Sequence, residues 1–252
     1  MSLLSDLASA VATGSVEVVD LTAPLHADTP ILGLPEPFGN TWPFELVEIS
    51  RYDARGPAWY WNNIRTGEHT GTHLDAPVHW VTGQDSEDVS QVPPARLVAP
   101  AVVLDFADRA ADDPDFLLSI DDVTTWEAEH GPLPEGGWLL YRTGWDRRGD
   151  NPDEFANAGH TPGIAIDCAR WLAEERPVIG VGVETVGTDA GLAHSFDPPF
   201  PCHTYLLGAG KYGLTQLRNV DRLPARGAVL IVAPLPIVRG SGSPCRVLAL
   251  VG

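Results

Sequence analysis

The sequence predicts a mixed α/β fold with strands in the majority, and three observations carry that expectation. Short runs rich in β-branched and aromatic residues outnumber the stretches with helical apolar spacing. The helical stretches nevertheless exist, each with one apolar stripe and a recognisable start or stop. A chain of 252 residues, 44% of them hydrophobic, shows no internal repeat, low-complexity tract or linker, so residues 1–252 are expected to share one core as a single domain.

The elements follow in order. Leu3, Leu4, Leu7, Ala8 and Val11 recur at helical spacing and Gly14 stops the run, which predicts a short amphipathic helix at the start. SVEVVDL at 15–21 is the first strand-like run. Residues 29–43 are rich in Pro and Gly and read as a long surface loop, of a length that often serves function. Strand-like runs return at 44–52, 59–66 and 97–106. A helix is expected over Ile120–His130, where Ser119 can cap and Asp122 stands three residues on. After a strand at 137–143, Ile164, Cys168, Trp171 and Leu172 form the apolar stripe of a helix over 164–175. Strands at 178–184, 228–235 and 246–251 complete the chain.

Composition excludes several functions. A formal charge of -18 opposes binding to nucleic acid or anionic membrane surfaces, because phosphate would have to be approached against repulsion. No apolar run approaches the ~18 residues of a membrane span, and the start lacks the basic flank of a secretion signal, so a cytoplasmic protein is expected. Cys168, Cys202 and Cys245 are odd in number and far apart, which suits reduced thiols rather than a disulfide framework or a Cys-based zinc site. Lys211 is the only lysine, leaving no other residue for Schiff-base chemistry.

The densest chemistry lies in GEHTGTHLDAPVHW at 67–80, which holds three of the eight histidines. Ligands of a zinc-like ion must converge to ~2.0–2.2 Å from one point. A straight strand would spread His69 to His79 over ~33 Å, and on one helix Asp75 would face away from His73. A workable path puts His73 and Asp75 on one side of an extended piece, lets Gly71 bend His69 back beside them, and uses Pro77 to redirect the chain to His79. Glu68 is expected beside such a site rather than on the ion. His26, His130, His160 and His194 stand singly and read as surface or satisfied core residues.

HTGTHLDAPVH resembles the HxGTHxDxPxH signature of the cyclase-type metal-dependent hydrolase family, which includes bacterial kynurenine formamidases and isatin hydrolases. TPGIAIDCARWL, GVGVETVGTD and PCHTYLLGAGKYGLTQLRNVDRLP are similar to its downstream segments, and the second half is closer to the isatin hydrolase branch. The resemblance implies a swivelling β/β/α fold with a mixed, partly barrel-like sheet and flanking helices, assembled as a homodimer or higher homo-oligomer. It implies one divalent ion, Mn or Zn, on His69, His73 and Asp75, with His79 and His203 as catalytic groups. Formamidases with two zincs carry a glutamate where this chain has Gln216, which argues for a single ion here.

Two imidazoles and a carboxylate leave a dication Lewis-acidic, with open positions for water and a carbonyl oxygen. The expected activity is hydrolysis of an aromatic cyclic amide resembling isatin, with arylformamidase or lactone hydrolase as the alternative within the family. In that scheme His79 helps take a proton from the attacking water, and His203 holds the substrate or protonates the leaving group. Trp42, Phe44, Trp59, Trp61, Trp80 and Phe200 lie near the motif or near His203 in sequence and could wall a flat substrate. GSGSP at 240–244 lacks the G-x-S-x-G pattern of a serine hydrolase and reads as a turn. A different class, the non-haem iron oxygenases, would use His73, Asp75 and His203 but leave His69 and His79 idle. A closed structural metal site is the non-enzymatic alternative.

Overall fold

The structure is a computed structural model that describes residues 2–252. Its helices are α1 (Leu3–Thr13), α2 (Ala107–Asp112), α3 (Ile120–His130), α4 (Pro152–Ala156) and α5 (Ile166–Glu174). The strands are β1 (Glu17–Asp20), β2 (Glu45–Asp53), β3 (Gly56–Arg65), β4 (His73–Asp75), β5 (Val98–Asp105), β6 (Leu117–Leu118), β7 (Trp138–Arg142), β8 (Gly163–Ile164), β9 (Gly180–Val183), β10 (Tyr212–Thr215), β11 (Arg226–Pro234) and β12 (Gly242–Val251). The order β12-β11-β5-β7-β9-β10-β4 returns to β12, so seven strands close into a mixed barrel, and β1 adds to the free length of β12.

Closure depends on β4. His73, Leu74 and Asp75 face Thr215, Leu214 and Gly213 of β10 on one edge and Pro244, Ser243 and Gly242 of β12 on the other. The histidine motif is therefore the seam of the barrel, hydrogen-bonded on both sides, a rigid base for converging side chains. Along β5 the side chains alternate: Ala101 and Val103 join the cluster inside the barrel, whereas Val102 and Leu104 join the outer one. Both faces of the strand are buried, which explains its nearly continuous apolar reading. Inside, Leu74, Trp138, Leu140, Tyr212, Leu214, Leu230 and Val247 pack together; outside, Leu139, Tyr141 and Val181 meet Val123 and Trp126 of α3 and Cys168 and Leu172 of α5. Each fully buried Leu of this kind contributes roughly 1.5–3 kcal/mol.

Helix α3 begins as its sequence demands. Ser119 and Asp122 form the reciprocal capping box, and Gly131 follows the last turn. The helix expected over 164–175 starts later: Gly163–Ile164 is an extended pair against β6, and Ala165 precedes the helix without a side-chain cap. Helix α1 forms between Ser2 and Gly14 but buries none of its residues, and Leu3 and Leu4 stay exposed. The β2–β3 hairpin is a separate two-stranded sheet with Leu46, Val47, Tyr60, Trp61 and Ile64 exposed. Cys168, Cys202 and Cys245 are free and buried, and among the described residues no helix is long and apolar enough to cross a membrane.

Candidate active site

The turn into the site begins at Gly71, whose φ of +63° lies in the left-handed region and whose missing Cβ would sit 2.5 Å from Leu25 Cδ2. That bend brings His69 beside β4. On β4 itself Leu74 points into the core while His73 and Asp75 share the opposite face, as the two-residue period requires. Ala76 stays extended, and a 3₁₀ turn over Pro77–His79 then carries His79 back, closed by the His79 N–H to Ala76 O bond of 2.9 Å.

These side chains meet at Asp75. His69 Nδ1 lies 2.8 Å and His73 Nε2 3.3 Å from Asp75 Oδ1. One donor atom from each of His69, Asp75 and His79 lies within 4.8 Å of the other two, and the His69 and His79 rings stack at 3.9 Å. The histidine assigned to proton transfer thus stands as near the convergence point as a proposed ligand. His73 Nδ1 is 2.7 Å from Gly71 O; a carbonyl only accepts, so Nδ1 carries the hydrogen and Nε2 is bare toward Asp75. Thr215 Oγ1 lies against the same ring edge, 2.8 Å from Nδ1 and 3.1 Å from Nε2. His69 Nε2 contacts Ser241 Oγ at 2.8 Å, which turns Nδ1 toward the same carboxylate. A bare His73 Nε2 facing a carboxylate oxygen sets one lone pair against another, which a cation within reach of both would relieve, and the donor atoms of His69, Asp75 and His79 gather at the same place, so these residues fit a divalent metal ion.

Electrostatics agree with the geometry. Burial alone would raise the Asp75 pKa, but positive charge on His73 and hydrogen bonds donated by the His69 and His73 rings hold it well below the ordinary carboxylate value, a service that a cation would perform in their place beside bare nitrogens. Burial presses the His79 pKa down to about 3, opposed by Asp75 and reinforced by His69 and His203, so its imidazole is neutral near pH 7.

The opposite wall carries His203, on a single π-helical turn over Cys202–Leu206. Its ring centroid is 5.5 Å from that of His79, 4.8 Å from Trp80 and 6.4 Å from Phe200. Phe200 holds a left-handed φ of 50°, a strained conformation for an aromatic residue at the entry to this turn. Asp189 accepts the Cys202 N–H at 2.7 Å, the His203 N–H at 3.2 Å and the His203 Nδ1–H at 2.5 Å. Burial pulls the His203 pKa down, yet the bond and charge of Asp189, with Asp75 beyond, leave it above its ordinary value.

The structure therefore gathers His69, His73, Asp75, His79 and His203, and adds Asp189, Thr215 and Ser241, which sequence reading did not single out for the site. Ser241, taken for part of a turn, touches His69, and Gly242 beside it begins β12. Of the aromatics, Trp80 and Phe200 flank His203, Phe44 is buried, and Trp42, Trp59 and Trp61 are exposed, the last two on the hairpin. Gln216 donates from Nε2 to Pro30 O at 3.0 Å, tying its amide to the long loop. His160 pairs with Asp115, and His130 lies tilted against Trp126, as single structural or surface histidines do.

A mixed barrel with a buried His/Asp cluster at its seam is the architecture of a metal-dependent hydrolase, and the comparisons specify which. The chain belongs to the putative cyclase family, whose model matches residues 19–190. It is 47% identical to the isatin hydrolase of Roseibium aggregatum, over 99% of this chain and 97% of that protein. It is 32% identical to the kynurenine formamidase of Salinibacter ruber, over 73% and 76% of the two chains. A solved isatin hydrolase bound to the product analogue thioisatinate superposes with a TM-score of 0.96 at 45% identity, covering 100% of this chain and 99% of that one.

Proposed function

We propose that this chain is a metal-dependent amidohydrolase that opens the amide bond of an aryl-fused cyclic amide of the isatin type, acting as one domain over residues 1–252. The gathering of His69, Asp75 and His79 donor atoms at the barrel seam, with His73 Nε2 3.3 Å from the same carboxylate, carries the reading. In it, His69, His73 and Asp75 hold one divalent ion, Mn or Zn, and His79 and His203 move protons. Such an ion supplies Lewis acidity, which polarises a carbonyl and makes water easier to deprotonate.

The remaining work belongs to the chain's own groups. Trp80 and Phe200, at 5.5 Å from each other and flanking His203, offer an aromatic edge for a flat ring. His79 is neutral, so its lone pair is free, and the Asp75 carboxylate favours the imidazolium that would form as it takes the proton of the attacking water. His203 is biased toward its charged form by Asp189 and can hand a proton to the amide nitrogen as the C–N bond breaks, yielding a carboxylate and an aniline-type amine. In a ring substrate the amine stays tethered to the product. An arylformamidase or a lactone hydrolase could use the same groups; relationship to the isatin hydrolases over nearly the full chain favours the cyclic amide.

The exposed Leu46, Val47, Tyr60, Trp61 and Ile64 on an otherwise unsupported hairpin support a homodimer, since a lone two-stranded sheet is marginal in water. Three free, buried thiols are compatible with the cytoplasm. The reading is tested by replacing His69, His73 or Asp75 with Ala, each of which should strip metal and hydrolysis together. Full metal occupancy in all three variants would overturn it.

A further inference from the structure

We infer that Glu68 and Ser241 form a positioning relay that fixes the His69 ring with Nε2 protonated and Nδ1 bare toward the cation position. The inference rests on the metal reading of the site and extends it to a distant segment, 240–242, that the histidine motif does not contain.

Glu68 Oε2 accepts from Ser241 N at 3.0 Å and from Ser241 Oγ at 2.6 Å. A carboxylate at neutral pH only accepts, so the single hydroxyl hydrogen of Ser241 is committed to Glu68. Ser241 Oγ can then offer only a lone pair to His69 Nε2, 2.8 Å away, and Nε2 must supply the hydrogen. In the neutral ring that a metal ion requires, the other nitrogen, 2.8 Å from Asp75 Oδ1, is then bare. Orientation and tautomer of a ligating histidine are commonly set by such a partner on the far nitrogen.

The segment is shaped for this contact. A Cβ on Gly242 would fall 2.6 Å from His69 Cε1 and 2.5 Å from Leu74 O, and one on Gly240 would fall 2.9 Å from Glu68 Oε1. Only residues without a side chain let the strand end lie flat on both groups. The backbone is pinned independently of the hydroxyl, because Ser241 O accepts the Ala76 N–H at 3.0 Å and Gly240 O accepts the Val89 N–H at 3.0 Å. A simple turn would leave the serine hydroxyl free to face water; here it sits between a carboxylate and an imidazole.

The test compares Ser241→Ala, Ser241→Thr and Glu68→Gln with the parent enzyme, all stripped of metal and titrated with Mn(II) against a competing chelator. Ser241→Ala should weaken the Mn(II) Kd about 10- to 100-fold, the range for losing a histidine's outer partner. Ser241→Thr, which keeps the hydroxyl, should recover most of that loss. Glu68→Gln should weaken binding by a smaller factor, since its carbonyl can still accept the hydroxyl hydrogen, and it serves as the test if thermal melting shows Ser241→Ala to be misfolded. In the zinc-loaded parent, ¹⁵N NMR should find the His69 hydrogen on Nε2 and slow to exchange with water, and Ser241→Ala, which removes its acceptor, should speed that exchange. A Kd within about twofold of the parent for both Ser241→Ala and Glu68→Gln, or a hydrogen on Nδ1 in the parent, overturns the relay. Failure of the underlying metal reading looks different: His73→Ala would then bind Mn(II) as tightly as the parent, and the relay would fall with it.

Discussion

Replacing Asp189 with Asn removes one charge and reverses one hydrogen-bonding edge while keeping the shape of the side chain. The carboxylate accepts three N–H groups, with Cys202 N on Oδ1 and both His203 donors on Oδ2. An amide has one oxygen, so either orientation sets its NH₂ against at least one of those donors. Keeping the oxygen toward His203 sacrifices the Cys202 bond and weakens the charge-assisted bond to Nδ1, for a loss of ~1.5–3 kcal/mol. If that loss falls on the transition state, kcat drops about ten- to a hundredfold. The pH profile should move as well. Burial lowers the His203 pKa, and Asp189 is what outweighs it; without that charge the imidazole should lose its proton at lower pH. Since His203 must be protonated to donate, the basic limb of the kcat profile should shift to lower pH. The assay is kcat from pH 5 to 9 with metal content measured alongside, and content should match the parent. An unmoved basic limb with unchanged kcat would refute the assignment of Asp189 and His203 as a coupled pair.

His79→Ala should keep most of its metal yet lose turnover by ~10²-fold or more, as for a missing general base; loss of the ion would instead make His79 a ligand. Glu184 has a pKa pushed up to about 7, first by burial and then by Asp146, against bonds from Thr143 and Trp145. A folded-state pKa above the ordinary 4.5 means that the stability it contributes is full below pH 4.5 and is lost as pH rises through 7, up to about 3 kcal/mol. Urea denaturation at pH 5 and pH 8 should therefore show the parent losing stability relative to Glu184→Gln, and a pH-independent difference between them would contradict this.

The elements legible in the sequence were those long enough to show a period. β5, β7, β11 and β12 each contain an unbroken apolar stretch, at 101–104, 138–141, 228–233 and 247–251, and α3 announces itself through Ser119 and Asp122. β4 and β10 span only three and four residues, too short for alternation to register, and barrel closure rather than local preference holds them extended. The path through Gly71, His73, Asp75 and Pro77 was legible because ligand convergence permits few backbones. Ser241 and Asp189 were not. The first lies 172 residues from His69 and looks like turn composition, and the second lies 14 residues before His203, which a π turn presents to it. Trp59 and Trp61 were near the motif in sequence, but their hairpin carries them to the surface.

The most direct test of the central claim is a steady-state comparison of isatin with N-formylkynurenine on one preparation, chelated and then reloaded with Mn or Zn. Both substrates place a carbonyl beside an aryl ring and release an aniline-type nitrogen, so the catalytic groups alone do not discriminate between them. Chelation should abolish turnover, Mn should restore it at least as completely as Zn, and isatin or a related aryl-fused cyclic amide should show the higher kcat/KM. A tenfold preference for the formamide, roughly 1.4 kcal/mol in transition-state binding, or undiminished hydrolysis by the metal-free protein, would contradict the claim.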